Sequence, residues 1–185
     1  MSVGIIGYGI QGKKRSKYLK KKLNFIFDEN LKVSKYTKIT NLPLDKVSSV
    51  FLCVPDNVKL KLINFFLLRE KNILVEKPLI LNISDLKKIK KNNKSKKLIY
   101  TAYNHRFEPG IIDLKKKIQL GSIGRIYNVN VFYGNGTSLL VKKSKWRDKK
   151  KGIITDLGSH LLDICLFIFD SPIKNLKLIQ SNKFE

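Results

Sequence analysis

Residues 4–12 read Gly-Ile-Ile-Gly-Tyr-Gly-Ile-Gln-Gly, a short apolar run that breaks into a turn with glycines at positions 7, 9 and 12. The apolar run at 3–6 is typical of a strand that is buried on both faces of a parallel sheet. The residues that follow the turn, 10–23, predict a basic amphipathic helix. The chain therefore opens with a strand, a glycine-rich turn and a helix.

Each glycine in this turn has a separate steric task. Gly7 permits the tight turn, Gly9 lets the backbone approach a pyrophosphate, and Gly12 allows the helix to pack closely on the strand. The first helical residues, Ile10 and Gln11, offer backbone N–H groups and a partial positive charge to phosphates. The spacing alone is a weak signal, because it also occurs in α/β proteins that bind no nucleotide.

An acidic residue follows the second predicted strand, 24–27, at the position that reads the ribose in dinucleotide-binding folds. Asp28 could accept hydrogen bonds from both hydroxyls of the adenosine ribose, and it would repel a 2′-phosphate. This favours NAD, while the nearby cations Lys13, Lys14 and Arg15 leave NADP open.

Strands and helices alternate up to residue 120, which predicts a doubly wound parallel sheet of the α/β class. Further strands are expected at 50–54, 73–76 and 98–102, and further helices at 58–68, 84–97 and 108–120. Ser84 is the expected N-cap of its lysine-rich helix.

The pattern changes at 121–124, Gly-Ser-Ile-Gly. Apolar and polar residues then alternate over 125–133, which predicts a strand with one covered face. A helix is expected over 155–169 and another strand over 176–179. We therefore place a domain boundary near residue 121, with domains at 1–120 and 121–185.

Two further groups of residues could carry chemistry. Lys77, in Glu76-Lys77-Pro78 at the end of a predicted strand, could stabilise negative charge on a substrate oxygen, or it could be a surface lysine. Asp156 and His160 lie one helical turn apart, so the carboxylate could orient the imidazole for proton transfer. Alternatively, His160 caps the start of the helix, and Asp156 lies near the helix N-terminus because the helix dipole favours a carboxylate there. No metal site is expected, since His160 lacks further ligands at suitable spacing.

Charge raises a different possibility. The chain of 185 residues carries 38 Lys and Arg against 14 Asp and Glu, a net charge of +24. Such an excess suits a protein that binds nucleic acid. However, the lysines lie in short scattered runs and form no stripe with interleaved aromatics, so we favour compositional bias over a nucleic-acid partner. With two cysteines, no convincing signal peptide and no membrane-length apolar segment, we expect a cytoplasmic location.

These elements together resemble the Gfo/Idh/MocA family, the relatives of glucose–fructose oxidoreductase and inositol dehydrogenase. The matching stretches span most of residues 4–165 and are GYGIQG, FLCVPDN, ILVEKPL, YNHRFEP, GSIGRIY and WRD followed by DLGSHLLD. The resemblance implies a Rossmann domain followed by an α+β domain with an open sheet that often forms an oligomer interface. It also implies hydride transfer between NAD(P) and a hydroxyl or carbonyl carbon of a sugar, nucleotide sugar or cyclitol.

The resemblance also assigns residues. Lys77 would contact the reacting oxygen, and His160, paired with Asp156, would be the general acid/base. Asn104 and Arg106 would face the nicotinamide or the substrate. The remaining assignments are Val54, Pro55 and Glu76 at the cofactor, and Trp146 and Arg147 on a substrate loop.

Two departures from the family pattern stand out. Many relatives carry a histidine shortly after the proline of the FLCVPDN stretch, where this chain has Val58 and Lys59. Relatives are also usually much longer, so we expect a truncated, split or incompletely read chain whose second sheet is partial. A nucleotide-binding remnant without catalysis is therefore the second hypothesis, and a nucleic-acid-associated protein is the third.

Overall fold

The computed structural model describes residues 2–31, 35–134, 154–177 and 179. Contacts between Cα atoms divide the chain into two units, Met1–Ala102 and Tyr103–Glu185. The domain boundary that the sequence predicts near residue 121 stays a prediction.

The first unit contains one sheet of five parallel strands in the order β2-β1-β3-β4-β5. The strands are β1 Val3–Ile6, β2 Leu23–Phe27, β3 Ser49–Leu52, β4 Asn72–Val75 and β5 Ile99–Thr101. The chain adds β2 on one side of β1 and then crosses over to add β3 on the other side. The point where the strand order reverses therefore lies between β1 and β3, which is where ligands bind in open parallel sheets. The predicted α/β Rossmann fold is confirmed.

Three helices connect the strands: α1 Ile10–Leu19, α2 Asp56–Leu67 and α3 Ile83–Asn92. Short 3-10 turns lie at Lys20–Lys22, Ile39–Asn41 and Leu44–Lys46. Helix α1 is shorter than predicted, because Lys20 has a φ of 45° and so leaves the helical region. The core lies between sheet and helices, and its fully buried side chains are Ile5, Val50, Leu52, Ile63, Phe66 and Val75. Each contributes about 1.5–3 kcal/mol through burial.

The start of α3 corrects the predicted cap. Asn82, not Ser84, is the N-cap: its Oδ1 accepts the backbone N–H of Asp85 at 2.9 Å, and the Asp85 carboxylate accepts the N–H of Asn82 at 3.1 Å. The Ser84 hydroxyl donates to Asn82 Oδ1 instead, at 2.6 Å. The helix also ends at Asn92, five residues before the predicted 97.

In the second unit the structure shows a 3-10 turn at Asn104–Phe107, helix α4 Pro109–Gln119, a π-helical turn at Ile154–Gly158 and helix α5 Ser159–Phe169. Helix α4 packs against α5, and the Nζ atom of Lys115 lies 4.0 Å from the centroid of the Phe167 ring. The helix predicted over 155–169 thus begins as a π turn.

The strand predicted over 125–133 is not formed, and neither is one at residues 176, 177 and 179. A strand exists through ladder hydrogen bonds to a neighbour, and no described segment pairs with residues 125–133. Its apolar side chains are therefore exposed, from 37% at Ile126 to 92% at Phe132. Within the described ranges, no helix has the length and apolar character needed to cross a membrane.

Candidate cofactor site and proton-transfer residues

The glycine turn after β1 is fixed by close backbone contacts. Gly7 has a φ of 89°, and a Cβ atom there would lie 2.4 Å from the carbonyl oxygen of Cys53. A Cβ atom on Gly12 would lie 2.1 Å from the carbonyl oxygen of Gly7. The first turn of α1 therefore rests directly on the glycine turn, and that turn rests on the chain leaving β3. Larger residues cannot occupy either position without moving backbone.

The third glycine faces open space. A Cβ atom on Gly9 would meet nothing described within 4 Å, and Gly9 is the N-cap of α1. Ile10 and Gln11 follow it, exposed, in the first turn of the helix, which contains no acidic residue. First-turn N–H groups have no partner inside the helix and carry its positive dipole end. The room and the charge fit the diphosphate of a dinucleotide.

Asp28 lies beside this turn, directly after β2. Its Oδ2 accepts the N–H of Tyr8 at 2.6 Å, and its Oδ1 accepts the N–H groups of Asn30 at 2.9 Å and Leu31 at 3.0 Å. Burial by itself raises the pKa of this carboxyl, but the three N–H bonds outweigh it and hold the pKa below its ordinary value. Asp28 therefore stabilises the fold above that ordinary pKa, and the contribution is lost as the pH falls through the lowered value.

The same bonds limit what else Asp28 can accept. A carboxylate offers about four lone-pair positions. Backbone N–H groups of the described residues use both positions on Oδ1 and one on Oδ2, and among these residues one position on Oδ2 has no donor. The sequence interpretation assumed that both ribose hydroxyls would bind.

Glu76 and Lys77 follow β4 at the same edge of the sheet, and the Lys77–Pro78 peptide bond is cis. The Nε–H of Arg15, on α1, donates to Oε1 of Glu76, and Nη2 forms an ion pair with the same oxygen. The guanidinium also lies 5.8 Å from the centroid of the Phe51 ring. Arg15 was one of the three cations that kept NADP as an alternative cofactor. In the structure its guanidinium is paired with the carboxylate of Glu76.

Lys59 is a buried cation that the sequence analysis did not assign. Its side chain is 3% exposed, and its Nζ donates to Asp56 Oδ1 and to the carbonyl oxygen of Pro78, both at 2.6 Å. Helical spacing could have revealed it, because Lys59 shares one face of α2 with Ile63 and Phe66, both fully buried.

Val54 and Pro55, predicted at the cofactor, follow β3 at this edge, half-buried and exposed respectively. Cys53 precedes them. Burial, then the negative charge of Glu76, raise the pKa of its thiol to about 12, in spite of Arg15. Cys53 is therefore a neutral packing residue with little nucleophilic character.

In the second unit, the structure surrounds His160 with aromatic rings. His160, on α5, is 4% exposed. Its ring centroid lies 4.6 Å from that of His105, 5.6 Å from Tyr103 and 6.0 Å from Tyr133, with which it is stacked. His105 is itself bonded through Nδ1 to Glu108 and through Nε2 to the Tyr133 hydroxyl at 3.1 Å. The family resemblance assigned no role to His105, and the fold brings it beside the predicted general acid/base.

Arg106 was expected to face cofactor or substrate. In the structure its Nε and Nη2 donate to the two carboxylate oxygens of Asp163 at 2.7 and 2.6 Å, and Asp163 is 6% exposed. Asp156 is also buried, in the π turn, where its carbonyl oxygen accepts the Ser159 hydroxyl at 3.2 Å. Asn104 is exposed in its 3-10 turn.

Two predicted substrate residues, Trp146 and Arg147, lie outside the described residues. Within the described part of the chain, no group of three or more His, Cys, Asp or Glu side chains is placed to hold a metal ion.

Comparison with known families agrees with this geometry. The model of an oxidoreductase family with an NAD-binding Rossmann fold, Gfo/Idh/MocA, matches residues 1–104, and the model of the GFO/IDH/MocA C-terminal domain matches residues 111–185. The chain belongs to the Gfo/Idh/MocA family and carries its NAD-binding domain.

Among individual relatives, an uncharacterized oxidoreductase of Schizosaccharomyces pombe is 31% identical over 77% of this chain and 39% of its own length. The NADP-dependent scyllo-inositol 2-dehydrogenase of Bacillus subtilis is 24% identical over 93% of this chain and 52% of its own length. The structure of the WlbA dehydrogenase of Bordetella pertussis, solved with NADH and UDP-GlcNAcA, superposes with a TM-score of 0.70 at 18% identity, covering 90% of this chain and 57% of that one. The chain thus spans about half the length of these relatives or less.

Proposed function

We propose that this chain binds NAD as part of an oxidoreductase that transfers hydride between NAD(P) and a hydroxyl or carbonyl carbon of a sugar, nucleotide sugar or cyclitol. The observation that carries the proposal is the pairing of the open glycine turn at Gly9 with the Asp28 carboxylate, held ionised beside it. The substrate class is supported by the relatives, which include inositol dehydrogenases and a glucose-6-phosphate 3-dehydrogenase.

The residue roles follow the family resemblance. Bound NAD would supply the hydride acceptor. Lys77 would donate a hydrogen bond to the reacting oxygen and stabilise its negative charge, and His160 would take the hydroxyl proton. The three rings around His160 would fix its orientation and exclude water from it. Asp156 would support the charge that His160 gains.

Cofactor binding is the first test, by calorimetry with NADH and NADPH. We expect wild type to bind NADH more tightly, and Asp28→Asn to lower that preference by about tenfold, the scale of one hydrogen bond to a charged group. Glu29→Gln removes the exposed neighbouring carboxylate and is the matched control. Equal affinities in wild type would remove Asp28 from its role. If neither cofactor binds and nucleic acid is retained with a steep salt dependence, the nucleic-acid hypothesis is correct instead.

Turnover is the second test, with a panel of inositols, hexose phosphates and nucleotide sugars read by nicotinamide absorbance. His160→Ala and Lys77→Ala should each slow the chemical step by about a hundred- to ten-thousand-fold while NADH binding survives. If NADH binds and no substrate on the panel is turned over, the chain is a nucleotide-binding protein without this activity.

A further inference from the structure

Two cations from different helices hold the segment Glu76–Pro78 at its two ends. Arg15, from α1, binds the carboxylate of Glu76, and Lys59, from α2, binds the carbonyl oxygen of Pro78. Lys77 is the residue between these two anchors. Both helices leave the same edge of the sheet, where β1, β3 and β4 end.

The Arg15 anchor connects this segment to the glycine turn. The guanidinium binds one carboxylate oxygen through two nitrogens, and the side chains of Arg15 and Glu76 are only 26% and 13% exposed. Water therefore competes weakly with the pair, unlike an ordinary surface ion pair. Because Arg15 belongs to the helix that the glycine turn begins, the position of Glu76 is tied to that turn.

The Lys59 anchor is deeper. An ammonium is costly to bury unless it is paired, and an apolar side chain of similar shape could pack on this face of α2 without that cost. The contacts show what the ammonium does instead: it bridges Asp56, at the start of α2, to the carbonyl of Pro78, which lies 19 residues after Lys59 in the chain. A backbone carbonyl is held in place by a donor from elsewhere in the chain, and Lys59 supplies that donor for Pro78.

We propose that Arg15 and Lys59 are positioning residues, which together fix the backbone of Lys77 so that its ammonium meets the nicotinamide end of the cofactor and the reacting oxygen. This rests on the proposed function. Fixing both neighbours of Lys77 removes backbone freedom that its flexible side chain would otherwise amplify. A small misplacement of a catalytic group can lower the reaction rate by a large factor. Anchors on both sides of Lys77 would prevent such a misplacement of its ammonium.

The test separates the nicotinamide end of the cofactor from the rest. Calorimetry compares NADH with ADP-ribose, which lacks the nicotinamide, for wild type, Lys59→Met and Arg15→Met. We expect each variant to weaken NADH about tenfold, the scale of one lost charge-assisted bond, and to change ADP-ribose by less than about twofold. Lys61→Met on α2 and Lys17→Met on α1 remove exposed lysines from the same helices and should change neither affinity.

A second readout needs no cofactor. Hydrogen exchange of a peptide covering residues 76–81 should become faster in both anchor variants, while β1 keeps its protection. If Lys59→Met fails to fold, Lys59→Gln, which keeps a donor on a shorter side chain, takes its place with the same expectations.

Equal weakening of NADH and ADP-ribose would show that the anchors serve only general stability and would overturn the assignment, as would unchanged exchange at 76–81. Absence of NADH binding by wild type would instead overturn the proposed function, and this assignment with it. Normal wild-type binding with unaltered NADH affinity in the variants would refute the positioning role alone.

Discussion

Alanine at Gly12 and alanine at Gly9 should affect different properties, although the two glycines lie in one turn. Gly12→Ala should lower the stability of the fold, whereas Gly9→Ala should lower the affinity for NADH. At Gly12 the new Cβ atom would lie 2.1 Å from the Gly7 carbonyl oxygen and 3.0 Å from its carbon. These are backbone atoms, so relief requires α1 to move away from the turn. Forcing extra atoms into a packed site costs about 1–3 kcal/mol, and a contact this short against backbone belongs at the upper end of that range.

At Gly9 the same methyl group meets nothing described within 4 Å, and the backbone there is extended, with a φ of −69° that alanine adopts freely. The free energy of unfolding should change by no more than about 0.5 kcal/mol, as for other unstrained surface substitutions. The methyl would, however, occupy the space that we assign to the diphosphate. Gly9→Ala should therefore fold normally and bind NADH at least about tenfold more weakly, equivalent to 1.4 kcal/mol.

Urea unfolding followed by circular dichroism measures the first quantity, and titration of NADH fluorescence measures the second. Gly110→Ala is a matched control, because a Cβ atom there also meets no described atom within 4 Å and the position lies in α4. Full stability in Gly12→Ala would refute the close contact between helix and turn. Wild-type NADH affinity in Gly9→Ala would refute the placement of the diphosphate.

Three further predictions concern individual contacts. Asn82→Ala should lower the free energy of unfolding by about 1 kcal/mol through loss of the cap, whereas Ser84→Ala should have a smaller effect. Urea unfolding measures both changes. A larger loss of stability in Ser84→Ala would show that Ser84 is the cap. Arg106→Ala should leave the buried Asp163 carboxylate unpaired and lower the free energy of unfolding by about 3 kcal/mol. If neither Arg106→Ala nor Asp163→Asn changes the thermal unfolding temperature, the pair contributes little to stability. Cys53, with its pKa raised to about 12, should react with a thiol reagent at pH 8 much more slowly in the folded protein than after unfolding. Fast labelling of the folded Cys165→Ser variant would contradict the raised pKa.

The first unit was predictable because its signals are local. Val3–Ile6 is apolar at every position, and a strand buried on both faces needs no other pattern. Gly7 and Gly12 were readable for a similar reason, since few residues other than glycine can occupy those contacts. Asp28 was found through its distance along the chain from the glycine turn.

The strand predicted at 125–133 failed because alternation describes a side-chain pattern, while a strand also needs a hydrogen-bonding neighbour. The sequence supplied the alternation, but pairing is a property of the tertiary structure. The same limit applies to the cap of α3, where Asn82 and Ser84 compete at close range and the backbone geometry decides between them.

The sequence by itself determined the class of fold, the glycine turn and the family of this protein, because each depends on residue type and short spacing. Tertiary structure alone decided which polar and charged groups come into contact. Arg15 and Glu76 are 61 residues apart in the chain, Lys59 reaches a carbonyl on another segment, and His105 and His160 come together from different elements. Lysine is so common here that composition could not single out Lys59 as buried. Its role depends on the packing of α2 against the sheet, which places one ammonium out of reach of water and within 2.6 Å of the Pro78 carbonyl oxygen.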